Sequence, residues 1–320
     1  MKKIVILIVF VLIASLGGYL VYREGTLPVN ERDTTSVIFK IDPGEPMNDI
    51  IKRLESEGLI RNRVVFYSVI KQKGIDKKVQ AGNFRLSPSM DAYTLAEELT
   101  HGTNDTWITI IEGLRKEEIA EEVSSKLGIP VAEFSAVARE GYLFPDTYLF
   151  PSAITAEGVV DTLYKNYKAK VTPDVLASAK ERGLNEEQLM ILASLVEREA
   201  RSAEARRMVA SIMLKRIAED MPLQVDATVQ YALGYDKEQK TWWRKNLLFK
   251  DLEVESPYNT YKNPGLPPAP IASPSLSAIL AVSEADPDTP YLFYITGDDG
   301  KMYYARDLDE HNRNIDRHMK

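Results

Sequence analysis

The stretch Asn185-Glu186-Glu187-Gln188-Leu189-Met190-Ile191-Leu192-Ala193-Ser194-Leu195-Val196-Glu197-Arg198-Glu199-Ala200-Arg201 decides how this chain folds. Asn185 is a good helix N-cap, and Gln188 three positions on completes a capping-box pattern. Residues 189–196 then run without a charge. A helix apolar on every side belongs in an interior rather than on a surface. The segment therefore predicts a buried helix that ends in Glu197-Arg198-Glu199. Ala193 and Ser194 stand four and three positions before Glu197, on its own face, and their small side chains leave space beside the carboxylate. Partial burial would raise the carboxyl pKa, as a general acid working near neutral pH requires. A helix-terminal glutamate paired with Arg198 or Arg201 at the surface fits the same residues. Both readings stand at this point.

Downstream, residues 203–218 read as a second helix, and 223–231, 256–261 and 265–275 as loop-rich segments. Gly297-Asp298-Asp299-Gly300 between two aromatic-rich runs is a hairpin signal, and Asp307 caps a last helix. Residues 152–320 are thus a mainly helical domain with a C-terminal β-hairpin. Leu223-Gln224-Val225-Asp226-Ala227-Thr228 alternates apolar and polar, which predicts an extended segment with Gln224, Asp226 and Thr228 on one face. Ser256-Pro257-Tyr258-Asn259-Thr260-Tyr261 mixes aromatic plates with amide and hydroxyl groups. Sugars bind through that combination, and ordinary turn chemistry produces it as well. The aromatics of residues 140–148 invite a glycan-platform reading too, but fit a core equally.

The N-terminal half predicts a repeated order. Residues 37–41 read as a strand, 47–57 and 61–73 as helices, 79–86 as a strand and 92–100 as a helix. The order returns with a strand at 107–111, helices at 116–126 and 131–139, and an extended aromatic segment at 141–150. Gly44 and Gly113, Ile50 and Ile119, and Leu54 and Val123 align at an offset of 69 residues. We read two β-α-α-β units, at 36–103 and 104–151, the second linking to the helical domain. This is the layout of LysM-like carbohydrate-binding modules. Two unrelated α+β pieces are the other reading.

Lys2 and Lys3 precede residues 4–22, which carry no charge. As a helix that run spans about 28 Å, close to the hydrocarbon thickness of a bilayer. A cleaved signal peptide would have a shorter apolar core and a small-x-small site. Residues 1–22 are therefore read as a transmembrane anchor with its N-terminus cytoplasmic, the rest being extracytoplasmic. Residues 23–35 read as a short tether. The fold class expected is α+β. The sequence has no cysteine, which removes disulfides, thiolate nucleophiles and Cys-based zinc sites. Its three histidines, His101, His311 and His318, show no metal-ligand spacing, so no metal and no cofactor are expected. A net charge of −7 without a basic patch argues against nucleic acid as a partner.

Several motifs stand in an order that resembles the MltG (YceG-like) family of endolytic murein transglycosylases. They are Ala81-Gly82-Asn83-Phe84-Arg85-Leu86, the 140–148 segment, Ala193-Ser194-Leu195-Val196-Glu197-Arg198-Glu199 and Leu223-Gln224-Val225-Asp226-Ala227-Thr228. Residues 256–261, Gly265-Leu266-Pro267-Pro268 and His311-Asn312 follow. Ile111 departs from the pattern, where a proline is expected before Glu112-Gly113. The resemblance implies that Glu197 is the catalytic acid/base and that peptidoglycan glycan strands are the substrate. It implies a lyase step at the MurNAc–GlcNAc β-1,4 bond that leaves 1,6-anhydro-MurNAc ends and terminates strand elongation beside peptidoglycan synthases. Gln224, Asp226, Thr228, Tyr258, Asn259 and Tyr261 are the candidates for holding the sugars. A non-catalytic wall-binding anchor is one alternative. A muramidase-type hydrolase is another, which needs a second carboxylate, with Asp226 and Glu199 the nearest.

Overall fold

The structure, a computed structural model, describes residues 2–76, 78–100, 105–151 and 154–319, with residues 2–9 described by their backbone alone. His101 lies outside them. The fold mixes helices with small two-stranded sheets. The chain divides into two compact units, one running to Thr106 and the other beginning at Trp107.

The first unit contains α1 (Lys2–Thr26), β1 (Val37–Ile41), α2 (Met47–Ser56), α3 (Arg63–Lys73), β2 (Gly82–Leu86) and α4 (Ala92–Glu98). β1 and β2 pair antiparallel, with Val37 opposite Leu86 and Ile41 opposite Gly82. Side chains alternate across a strand. Phe39 and Ile41 therefore face the same core as Phe84 and Leu86, against Ile50, Leu54, Phe66, Ile70 and Leu95. Asn62 caps α3 by accepting from the N–H groups of Val64 and Val65, and Gly74 ends it at φ 64°.

Among the described residues no helix is long and apolar enough to cross a membrane. The run read as membrane-spanning lies partly outside those residues, since the side chains of residues 2–9 are not described. The C-terminal turns of α1 pack on the first unit. The Tyr22 hydroxyl lies 2.9 Å from Gln72 Oε1 and 2.8 Å from the Tyr93 hydroxyl, and Glu24 pairs with Arg61. At Gly25 a Cβ would come within 2.7 Å of Val65, so the glycine lets α1 approach α3. The 27–35 segment is bonded down as well. Asn30 N–H donates to Pro88 O at 3.0 Å, and Ser87 Oγ donates to Asp33 O at 3.0 Å. The segment read as a short tether is thus bonded to its own unit, by hydrogen bonds that a string of polar residues does not announce.

β3 (Thr106–Thr109) begins at the boundary residue and leads into the second unit, followed by α5 (Lys116–Leu127), α6 (Val131–Val137) and β4 (Thr147–Phe150), β3 pairing with β4. Strand, two helices and strand follow one another as they do in the first unit. Ile108, Ile110, Ile119, Val123, Phe134 and Phe150 form its core, joined by Leu163 of α7 (Ala156–Lys170). The 140–148 aromatics are core residues: Tyr142, Phe144 and Tyr148 are buried, and the Tyr148 hydroxyl donates to Phe144 O.

The rest is α8 (Pro173–Glu181), α9 (Glu186–Glu199), α10 (Ala203–Ala218), α11 (Asp226–Leu233), α12 (Leu276–Ser283), the hairpin β5 (Phe293–Thr296) and β6 (Met302–Ala305), and α13 (Leu308–His318). Both halves of the Asn185–Gln188 capping box are made, at 2.9 and 3.0 Å. All residues from Leu189 to Val196 are buried, packed against α10 and α12. The hairpin is tied to α10 by Arg216, which donates to the carbonyls of Leu292, Pro222 and Leu223. Residues 226–233, read as loop, are helical. The local alternation gave way to a helix whose first turn buries Ala227, Thr228 and Val229.

Leu192 is fully buried at the middle of α9. Leu192→Ala should cost about 2–5 kcal/mol of stability. Urea unfolding followed by circular dichroism measures it, and a loss below about 1 kcal/mol would contradict the interior placement of this helix.

Candidate active site

The site is assembled at the C-terminal end of α9. Eight buried residues fix that helix, so its last turn projects Glu197 and Glu199 from a rigid base. The Glu197 side chain is only 6% exposed. Each of its oxygens is held from a different helix. Arg206, in the first turns of α10, donates through Nη2 to Oε1 at 2.5 Å, and its Nε binds Ala200 O at 3.1 Å. Ser275, the N-cap of α12, donates to Oε2 from its backbone N–H at 2.9 Å and from its hydroxyl. The same hydroxyl accepts from Ala278 N–H at 3.2 Å, which fixes its rotamer.

These contacts set two opposed tendencies. Burial pushes the Glu197 carboxyl up, and the nearby charge of Glu112 adds to this. The Ser275 hydrogen bonds and the Arg206 guanidinium pull it down, because both favour the ionised form. Burial prevails, and the pKa stands above the ordinary glutamate value. A carboxyl of this kind holds its proton more tightly than an exposed glutamate and finds donors waiting once the proton has gone.

The turn Glu112-Gly113 lies against this group. Gly113 has φ 75°, and a Cβ on it would lie 3.4 Å from Arg198 Nη1 and 3.6 Å from Glu197 Cγ. Gly113 N–H donates to Ser273 O and Ser273 N–H to Leu114 O, both at 2.8 Å, so the turn is stitched to the strand of chain that leads into Ser275. Arg198 donates to Gly113 O at 3.3 Å and stacks 3.8 Å from the Trp243 ring. It therefore buttresses the turn and is not the salt-bridge partner of Glu197. Ser194 donates to Ile191 O and accepts from Ile271 N–H, anchoring the opposite end of the 271–275 segment.

A cleft of about 850 Å³ opens over these groups, lined by Glu197, Glu199, Arg201 and Ser202 on one side and by Thr296, Lys301, Met302 and Tyr304 of the hairpin on the other. A carboxyl whose pKa is raised by burial, with donors for its own anion, at the wall of a cleft, is equipped for proton transfer to a bound ligand.

The model of the YceG-like family matches residues 39–317. The chain belongs to the YceG-like family. Among its relatives, a protein named endolytic murein transglycosylase from Streptococcus pneumoniae serotype 2 strain D39 is 30% identical over 98% of this chain, which spans 64% of that relative's length. A protein of the same name from Bacillus subtilis strain 168 is 31% identical, over 93% of this chain and 89% of its own. A crystal structure of a yceG-like protein from Listeria monocytogenes superposes with a TM-score of 0.58 at 28% identity, covering 87% of this chain and 99% of that one.

Within this family fold, the six residues expected to hold sugars fall into three places. Gln224 and Asp226 are exposed, and the Tyr261 hydroxyl donates to Asp226 Oδ1 at 2.6 Å. Gln224 sits at φ 53° rather than on an extended face. Tyr258 packs at 4.7 Å on Tyr231, whose other face carries Arg115. Thr228 and Asn259 are fully buried: Thr228 donates to Val225 O, and Asn259 donates to Leu252 O and Val254 O. These two hold loops and have no atom free for a ligand. None of the six lines the cleft beside Glu197.

Arg206, Ser275 and the Glu112-Gly113 turn were not singled out as site residues from sequence. Ser275 carried a readable signal, as a serine just before an apolar run, which marks an N-cap. Arg206 gave none.

Arg206→Met keeps most of the stem packing and removes the charge. It should move the Glu197 titration to higher pH, because the ionised form loses its cation. Carbon NMR of labelled glutamate carboxyls reads this directly. A midpoint that stays put or falls would show that Arg206 does not govern this acid.

Proposed function

We propose that this chain is an endolytic peptidoglycan lytic transglycosylase with Glu197 as its acid/base. The observation that carries the proposal is the clasp on Glu197: a buried carboxyl at a cleft wall, with one oxygen toward Arg206 and the other toward Ser275. The shared name of the pneumococcal and Bacillus relatives supports the choice of reaction.

The chemistry follows from the two states of one group. Protonated Glu197 gives its proton to the oxygen of the MurNAc–GlcNAc β-1,4 bond as that bond breaks. The substrate's own N-acetyl group shelters the developing positive charge at C1. Glu197, now an anion, is stabilised by Arg206 and Ser275, and then takes the proton of the MurNAc C6 hydroxyl as that oxygen attacks C1. The 1,6-anhydro ring closes, water is not consumed and Glu197 ends protonated. An intramolecular nucleophile gains its advantage from proximity and needs no second carboxylate to activate water.

The apolar run after Lys2 and Lys3 supports a membrane anchor with the N-terminus cytoplasmic and the cleft extracytoplasmic. The β-α-α-β order of the 36–103 and 104–151 regions supports LysM-like modules that help hold the strand. Nascent glycan strands close to the membrane are then the substrate, with peptidoglycan synthases as neighbours.

Glu197→Gln keeps the shape of the side chain and removes its proton. Purified glycan strands digested by the wild type should yield anhydro-MurNAc ends by mass spectrometry, and the variant should leave strands intact, with a loss of at least about 100-fold. Products heavier by one water would make the enzyme a hydrolase. Binding without cleavage by both proteins would leave a wall-binding anchor.

A further inference from the structure

Glu199 shares the cleft with Glu197 but takes no part in the reaction just described. Successive helix positions two apart do not face each other, so its carboxyl stands in a separate environment. The Tyr294 hydroxyl, from β5, donates to Glu199 Oε2 at 3.1 Å. Among the described residues the carboxyl has no salt bridge, and Oε1 has no hydrogen-bond partner, although it is not sealed from the cleft. The guanidinium of neighbouring Arg198 is turned to Gly113 and Trp243. Asp226 of α11 adds a like charge, Tyr261 interacts electrostatically with Glu199, and Arg216 of α10 acts on Tyr294 while its Nε and Nη1 are bound to carbonyls. Removal from water disfavours the charged form of a carboxyl that has no salt bridge, and burial pushes Glu199 up to about 7.

The tyrosine decides where the proton sits. With the Tyr294 hydroxyl donating to Oε2, the acid proton of a neutral Glu199 falls to Oε1, the oxygen with no protein partner among the described residues. We propose that Glu199 is a substrate-positioning residue whose neutral carboxyl donates a hydrogen bond from Oε1 to an acceptor oxygen of the bound glycan, an acetamido carbonyl of an N-acetylated sugar. Two glutamates two positions apart thus do different work. Glu197 moves a proton, and Glu199 keeps one in order to hold the strand. This rests on the reading of the cleft as a glycan site.

Glutamine is the decisive substitute. Its carbonyl can accept from Tyr294 while its amide N–H points where the acid proton stood, and it does not titrate. Strand affinity is measured by calorimetry in a Glu197→Gln background, so that nothing is cleaved. Adding Glu199→Ala should weaken binding about three- to tenfold, the amount a neutral hydrogen bond contributes. Adding Glu199→Gln should restore it. With Glu199 intact, affinity should fall as pH rises through about 7, where the donor is lost, and this dependence should vanish with glutamine. Affinity as poor with glutamine as with alanine, or a pH dependence that persists with glutamine, would overturn the proposal. So would loss of turnover in Glu199→Gln together with water-added products from the wild type, which would make Glu199 the base of a hydrolase. If the wild type cuts nothing, the transglycosylase reading fails, while the affinity comparison still decides the role of Glu199.

Discussion

The burial of α9 is the constraint on which the second unit depends. Its residues from Leu189 to Val196 are enclosed on all sides, so the helix cannot rotate or slide without exposing apolar surface. Everything chemical about the site is referred to that immobile axis. α10 supplies a cation to its last turn, α12 supplies a capping serine, and the hairpin supplies a tyrosine. Three elements, one adjacent in sequence and two far from it, thus converge on one helix end, and each brings one kind of donor.

The two glutamates show how environment separates chemically identical groups. Glu197 is buried but has a guanidinium and two Ser275 donors, so its anion is provided for. Glu199 is buried with a single neutral donor, so its anion is not. In the proposed reaction the same side chain would serve as a proton carrier in one place and as a fixed donor in the other. The difference is set by which element faces each oxygen, not by position along the chain.

The sequence made the local features legible and left the convergent ones hidden. The capping box at Asn185 and Gln188, the span of α10, the Gly297–Gly300 hairpin and the Asp307 cap depend on neighbours within a few residues, and the structure has them all. The Glu197 environment depends on Ser275, 78 residues away, and no spacing rule reaches that far. The sugar-binding candidates show the same limit from the other side. Thr228 and Asn259 carry groups suited to a sugar, but each spends them on backbone inside the protein. Residue type advertised capacity, while burial decided its use. Residues 226–233 were misread because a short polar-apolar alternation fits a strand and the start of a helix alike, and packing of Ala227 and Val229 chose the helix.

The docking of α1 onto its own unit has a mechanical meaning. Tyr22, Glu24 and Gly25 clamp the end of the helix to α3 and α4, and the chain after it is bonded to Pro88 and Ser87. A slack leash would let a protein wander through a volume as wide as the leash is long. A stiff stalk confines it to a thin shell at one height. With α1 in a bilayer, the first unit would ride at a set altitude above the lipid surface and meet a growing strand at a fixed distance from its point of emergence. Stalk stiffness is then a ruler.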